Sequence, residues 1–178
     1  MAILPIIIAP DRRLKLKCKP VDRVDDAIAT LMTDMLETMY AAPGIGLAAP
    51  QVGVPTRVIV IDNAGRDELS APIKMANPEL ISVSEELWIH EEGCLSLPEY
   101  YADVERPLHI HMRYLDENNQ TQELEADELL ATCIQHEIDH LSGTLFVDHI
   151  SALKRNMILR KLVKSKKTKS DQRRSLTG

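Results

Sequence analysis

The residues of this chain best suited to chemistry lie in Gln135-His136-Glu137-Ile138-Asp139-His140. On a helix of about 3.6 residues per turn, positions i and i+4 share a face, so His136 and His140 can reach one cation together. Glu137 then stands beside the cation rather than on it. A carboxylate there can take a proton from activated water and hand it to a leaving group, the role this spacing has in zinc peptidases. The motif points to hydrolysis.

Such a centre takes three protein ligands and keeps one position for water, so a further ligand is needed. Downstream, Gly143 matches the glycine of an extended zinc-peptidase motif, but Phe146 stands where that motif has its third His, and no Glu follows Glu137. The ligand must come from upstream. Cys133 is one turn from His136 but seven residues, about 10 Å of helical rise, from His140, and reads as a buried thiol. Cys18, between Lys17 and Lys19, has no local partner for metal binding. Cys94 differs, because Glu92-Gly93-Cys94-Leu95-Ser96-Leu97-Pro98 gives the backbone freedom to present a thiolate and an adjacent amide to one point. His90, His109 and His111 remain competitors, the last two on one strand face.

The elements that must position these residues follow from patterning. An N-cap at Asp127 starts a helix that runs to about Leu141 and closes at Gly143. Leu129, Leu130, Ile134, Ile138 and Leu141 surround much of it, as in a buried central helix. An earlier helix spans about Asp25 to Ala42, with Ile28, Leu31, Met32, Met35 and Met39 at three- and four-residue spacings, and ends at Pro43-Gly44. Its Met-rich face reads as core. Thr56 to Ile61 and Leu108 to Tyr114 read as strands, and the turn Asp116-Glu117-Asn118-Asn119 returns Thr121 to Ala126 as a hairpin partner. Met1 to Ile8 is a strand or extended arm. A last helix spans about Ala152 to Lys164, and polar residues 166–178 are expected to be disordered. The expected fold is α+β, with short antiparallel strands around a central metal-binding helix and a C-terminal helix. Gly44-Ile45-Gly46-Leu47-Ala48-Ala49-Pro50-Gln51 allows close backbone approach, but lacks the Lys-Ser/Thr of a phosphate loop and the third glycine of a dinucleotide turn.

Composition bounds the setting. At 178 residues and 44% hydrophobic the chain suits one domain, placed at residues 1–165, followed by the tail. No stretch approaches the roughly 18 apolar residues of a membrane span, and the opening lacks the basic region of a signal peptide. Three cysteines are too few and too odd for a disulfide framework, so a reducing, cytoplasmic setting is expected. From Ser151 onward there are 10 Lys or Arg and one acid, against 11 and 26 in residues 1–150. An acidic body of −15 thus carries a basic end of +9, a pattern that attracts polyanions.

Taken together, Gly44-Ile45-Gly46-Leu47-Ala48-Ala49-Pro50-Gln51, Glu92-Gly93-Cys94-Leu95-Ser96 and Gln135-His136-Glu137-Ile138-Asp139-His140-Leu141 resemble, in order and spacing, the three signature motifs of the peptide deformylases. The likeness spans nearly the whole chain and is to bacterial, iron-type members. It implies a metallohydrolase that releases formate from the N-formylmethionine of new proteins. By this resemblance Cys94, His136 and His140 hold one divalent ion, Fe²⁺ before Zn²⁺, Ni²⁺ or Co²⁺, and Glu137 is the general base and acid. The oxyanion donors it implies are the Gln51 side chain and the Leu95 N–H. Gly44 and Gly46 would lie along the substrate backbone, with Ile45, Leu129 and Cys133 around the methionine side chain. The implied partners are nascent formylmethionyl peptides and, through the basic C-terminal helix, ribosomal RNA. Three positions depart from the common pattern: Tyr101 stands where many members have Arg, and His90 and Thr132 where aliphatic residues are frequent. Gln51 and the glycine motif argue against an aminopeptidase using the same centre. The full set of ligands and base argues against an idle ribosome-binding protein.

Overall fold

All four residues of the strand Val58–Ile61 are buried, and this decides the layering. The computed structural model describes residues 2–64 and 69–175. Its elements are α1 (Asp26–Ala41), β1 (Gly46–Ala48), β2 (Val58–Ile61), β3 (Ile73–Val83), β4 (Leu87–Cys94), β5 (Leu97–Pro107), β6 (His109–Leu115), β7 (Thr121–Asp127), α2 (Glu128–Leu141) and α3 (Ala152–Ser175). Successive side chains of a strand point to opposite faces. Val58 and Val60 therefore join Met32, Met35 and Met39 of α1, while Ile59 and Ile61 join Ala131, Ile134 and Leu141 of α2. The sheet, in the order β1-β2-β3-β6-β7 and antiparallel throughout, is the middle layer between the two helices.

A separate hairpin, β4–β5, closes over α2. Its inner face meets a third apolar cluster, in which Leu97 and Val104 pack with Ile7, Phe146, Val147, Ile158 and Leu162. The amino-terminal arm is extended rather than a strand. It bonds through Ile7 N–H to Gln51 O at 2.8 Å and through Ala9 N–H to Ser96 O at 2.9 Å, tying the glycine-rich segment to the segment after Cys94.

The α+β class holds, with differences in detail. The first helix is capped by Asp25, whose carboxylate accepts from Ile28 N–H at 2.9 Å. Asp127 occupies the N-cap position of α2 but makes no side-chain cap bond, because it is also the last residue of β7. Four strands were not legible: β1, β3, β4 and β5. At 11 residues each, β3 and β5 are also longer than the short strands expected. Asn77 and Pro78 interrupt β3 at a register shift, and β4–β5 exposes much of one face, so neither shows a clean apolar alternation. The last helix runs through residues 166–175 to Ser175, past the end expected near Lys164. That stretch is rich in Lys and Arg and free of Gly and Pro, so the backbone has no reason to break. Residues 176–178 lie outside the described residues.

Candidate metal centre and cleft

Helix α2 places the His136 and His140 side chains on one buried face, with ring centroids 5.0 Å apart. The ladder of β4 with β5 is regular as far as Gly93 opposite Tyr101, then breaks, and Cys94 pairs with Leu97. Beyond that break Cys94 Sγ reaches 3.3 Å from His140 Nε2. The donor atoms of Cys94, His136 and His140 all lie within 4.8 Å of one another. Metal–ligand bonds of about 2.0–2.3 Å could gather such a set around one ion after small adjustments.

Partners on the far side orient these groups. His136 Nδ1 is 2.8 Å from Glu92 Oε2, so a protonated Nδ1 donates there and Nε2 is left for the centre. Arg106 donates to both Glu92 oxygens, at 2.5 and 3.0 Å, and to Asp139 Oδ2 at 2.9 Å. Burial alone would raise the Glu92 carboxyl, but the hydrogen bonds and charges of His136 and Arg106 outweigh it and hold it at about 2. Burial also drives His140 well below the usual imidazole range, helped by the charge of His136. A neutral ring keeps the lone pair that a metal needs.

Glu137 sits beside these atoms, not among the clustered donors. Burial pushes its carboxyl up to about 7, and its Oε2 is buried with no hydrogen-bond partner. An orphaned carboxylate oxygen in a low-dielectric site is costly unless a cation or proton is near, so the arrangement fits a bound dication. Gly46 makes room for this carboxylate, since a Cβ there would overlap Glu137 Oε1. Gln51 is fixed by accepting from Ala48 N–H at 2.8 Å, while its Nε2 donates to Ser96 Oγ at 3.1 Å and approaches Cys94 Sγ at 3.5 Å.

A cleft of about 590 Å³ opens onto the centre. Gly44, Ile45, Gly46, Leu95, Leu129 and Cys133 all line it, as do Gln51, His90, Tyr101 and Thr132. Burial pushes the Cys133 thiol up to about 12, so it behaves as an inert apolar wall. The rival ligands are not among the clustered donors. His111 is 3.0 Å from Glu123, His109 is exposed on β6, His90 stacks on Trp88, and Cys18 is buried in the core below α2. Glu92 carried a sequence signal only by adjacency to Cys94. Arg106, Asp139 and Ser96 carried none that reached this network, because their partners are brought in by β5, α2 and the hairpin turn.

The model of the polypeptide deformylase family matches residues 3–156. The chain belongs to that family. Peptide deformylases of Mesorhizobium japonicum and Methylocella silvestris are 54% and 57% identical to it over 170 residues, covering 96% and 94% of this chain and 97% and 87% of theirs. The solved peptide deformylase of Ehrlichia chaffeensis in complex with actinonin superposes with a TM-score of 0.89 at 41% identity, over 93% of this chain and 98% of that one. As a deformylase the chain is a metal-dependent hydrolase that removes the formyl group from N-formylmethionyl peptides. Among the described residues no helix is long and apolar enough to cross a membrane.

Proposed function

We propose that Cys94, His136 and His140 hold one Fe²⁺ ion at the floor of this cleft, and that Glu137 moves the proton in formyl hydrolysis. The observation that carries this reading is the cluster of one thiol and two imidazoles within 4.8 Å, with the partnerless Glu137 carboxylate beside it. When bound, the ion supplies a Lewis acid that lowers the pKa of water and polarises a carbonyl oxygen. Glu137 accepts the water's proton at a carboxylate oxygen and returns it to the departing amine nitrogen, leaving formate and a free amino terminus. Its position near 7 without metal suits a group that must both take and give a proton, and a dication lowers it.

Gln51 Nε2 and the Leu95 N–H are the donors we assign to the oxygen that gains charge at the formyl carbon. Gln51 is already held in place by Ala48 and Ser96. Ile45, Leu129 and Cys133 form the apolar surface we assign to the methionine side chain. Gly44 and Gly46 lie where an extended peptide can run along β1, which pairs only with β2 among the described residues. The iron assignment rests on family resemblance, since a thiolate and two imidazoles also suit Zn²⁺, Co²⁺ and Ni²⁺. We place the enzyme in the cytoplasm, acting on nascent chains, with the exposed basic residues Lys154, Arg160, Lys161 and Lys164 facing ribosomal RNA. Arg155 is not free for that role, being 3.0 Å from Asp148.

The test is formate release from a formyl-Met peptide by anaerobically prepared enzyme, beside Glu137→Ala with its metal content checked. The metal-loaded variant should lose about 10²–10⁴-fold in kcat. Equal rates in the two would remove Glu137 from the mechanism. Activity should also decay in air as iron or the Cys94 thiolate oxidises, and survival through long aerobic handling would count against iron.

A further inference from the structure

We propose that His149 is a positioning residue for the metal centre, the outer anchor of a chain of hydrogen bonds that runs through Asp139, Arg106 and Glu92 to the ring of His136. The inference rests on the metal-centre reading above and extends it to a residue that is neither among the clustered donors nor on the cleft lining. Each link is within hydrogen-bond distance. His149 Nε2 is 2.7 Å from Asp139 Oδ2, the same oxygen that accepts from Arg106 at 2.9 Å. Arg106 donates from Nε and from its other terminal nitrogen to the two oxygens of Glu92, and Glu92 Oε2 meets His136 Nδ1 at 2.8 Å. Side-chain exposure falls along the way, from 36% at His149 and 26% at Asp139 to 6% at Arg106 and 4% at Glu92. The chain therefore joins solvent to a proposed ligand.

The direction of dependence follows from this gradient. Glu92 and Arg106 are enclosed and hold each other through paired bonds, but Asp139 lies where water competes for its oxygens. A partly exposed carboxylate with one partner can turn away. Two donors converging on Oδ2 oppose that rotation, and Asp139 then keeps the remaining arm of the Arg106 guanidinium in place. Because the guanidinium is a rigid planar fork, releasing that arm would let the plane tilt and disturb both bonds to Glu92. Glu92 is in turn the acceptor that sets the tautomer and orientation of His136. The turn carrying His149 is itself tied down: Phe146 and Val147 are buried in the third core cluster, and Asp148 accepts from Leu145 N–H at 2.8 Å and pairs with Lys15 at 2.6 Å and Arg155 at 3.0 Å. A fixed backbone thus delivers the ring to Asp139, which lowers the entropy cost of the contact.

The experiment measures Co²⁺ affinity by competition against a chelator, together with the visible spectrum of the bound ion, in the full chain. His149→Leu should weaken binding by about three- to tenfold, less than the loss expected when the inner acceptor Glu92 is changed, because water replaces the outer partner in part. The bands of the bound ion should shift in that variant. His149→Gln, whose side-chain amide can donate to the same Asp139 oxygen, should keep most of the wild-type affinity and the wild-type spectrum. In the Glu92→Gln background, where the inner link is already broken, His149→Leu should change nothing further. Wild-type affinity in His149→Leu, a loss of the same size in both backgrounds, or a Gln variant as weak as the Leu variant would each overturn the positioning role and leave the metal centre intact. A wild-type protein whose Co²⁺ spectrum is unaltered by Cys94→Ser would overturn the metal-centre reading itself.

Discussion

At the residue scale, a buried ion pair stands one step behind the proposed ligands. Arg106 and Glu92 are both almost fully enclosed, and Arg106 reaches on to Asp139, which is 2.7 Å from His149. Removing one member of such a pair leaves the other charge buried and uncompensated. Glu92→Gln should therefore lower metal affinity by about 10–100-fold, measured by competition against a chelator, because His136 loses the acceptor that fixes its ring and tautomer. Wild-type affinity in that variant would mean that packing alone, including the stacking of His136 on Phe146, orients the ring. The three clustered donors, Cys94, His136 and His140, were legible here, since the i, i+4 spacing of His136 and His140 needs only a helix and the glycine beside Cys94 marks an unusual backbone. The Arg106 contribution was not, because a charged residue in a strand looks the same from its sequence whether buried or solvated.

At the element scale, α2 must stop abruptly so that the chain can turn back under the hairpin. Gly143 does this with φ +77°, and a Cβ there would stand 2.5 Å from the Lys15 carbonyl oxygen. Both the left-handed backbone and the contact with fixed main chain oppose any side chain. Gly143→Ala is expected to cost about 2–4 kcal/mol in urea unfolding, combining conformational strain with displacement of the 12–15 turn. A loss under about 1 kcal/mol would show that this turn moves aside freely. The helices and the β6–β7 hairpin were readable because each has one apolar face or a turn cluster of its own. The β4–β5 hairpin was not: its strands carry Glu91, Glu99, Asp103 and Glu105 outward and bury Glu92 and Arg106 inward, inverting the pattern that normally marks a strand.

At the scale of the whole molecule, charge is divided between an acidic body and a basic helix. Ile158 and Leu162 are buried in the third core cluster, so α3 is part of the domain up to that point. Removing residues 165–178 should leave stability and deformylation of short peptides unchanged, while weakening binding to ribosomes and flattening its salt dependence. Unchanged ribosome affinity and salt dependence in that truncation, combined with Arg160→Gln and Lys161→Gln, would exclude the helix as a docking element. A deletion starting at Ser151 could not separate these effects, because it would also strip Ile158 and Leu162 from the core.

By itself the sequence determined which atoms can do chemistry, because the spacing of His136, Glu137 and His140 on one helix is a local property. It also determined the apolar stripes of α1 and α2, which any fold must bury. Only the tertiary structure brings the Cys94 thiol beside the two imidazoles, since Cys94 reaches His140 across a sequence separation of 46 through the break in a hairpin that local patterning does not announce. The same holds for Arg106, Glu92 and Asp139, whose buried charges are tolerable only once strand, helix and hairpin bring them together. The outward line of Glu91, Tyr101 and Asp103 likewise exists only as a consequence of strand register.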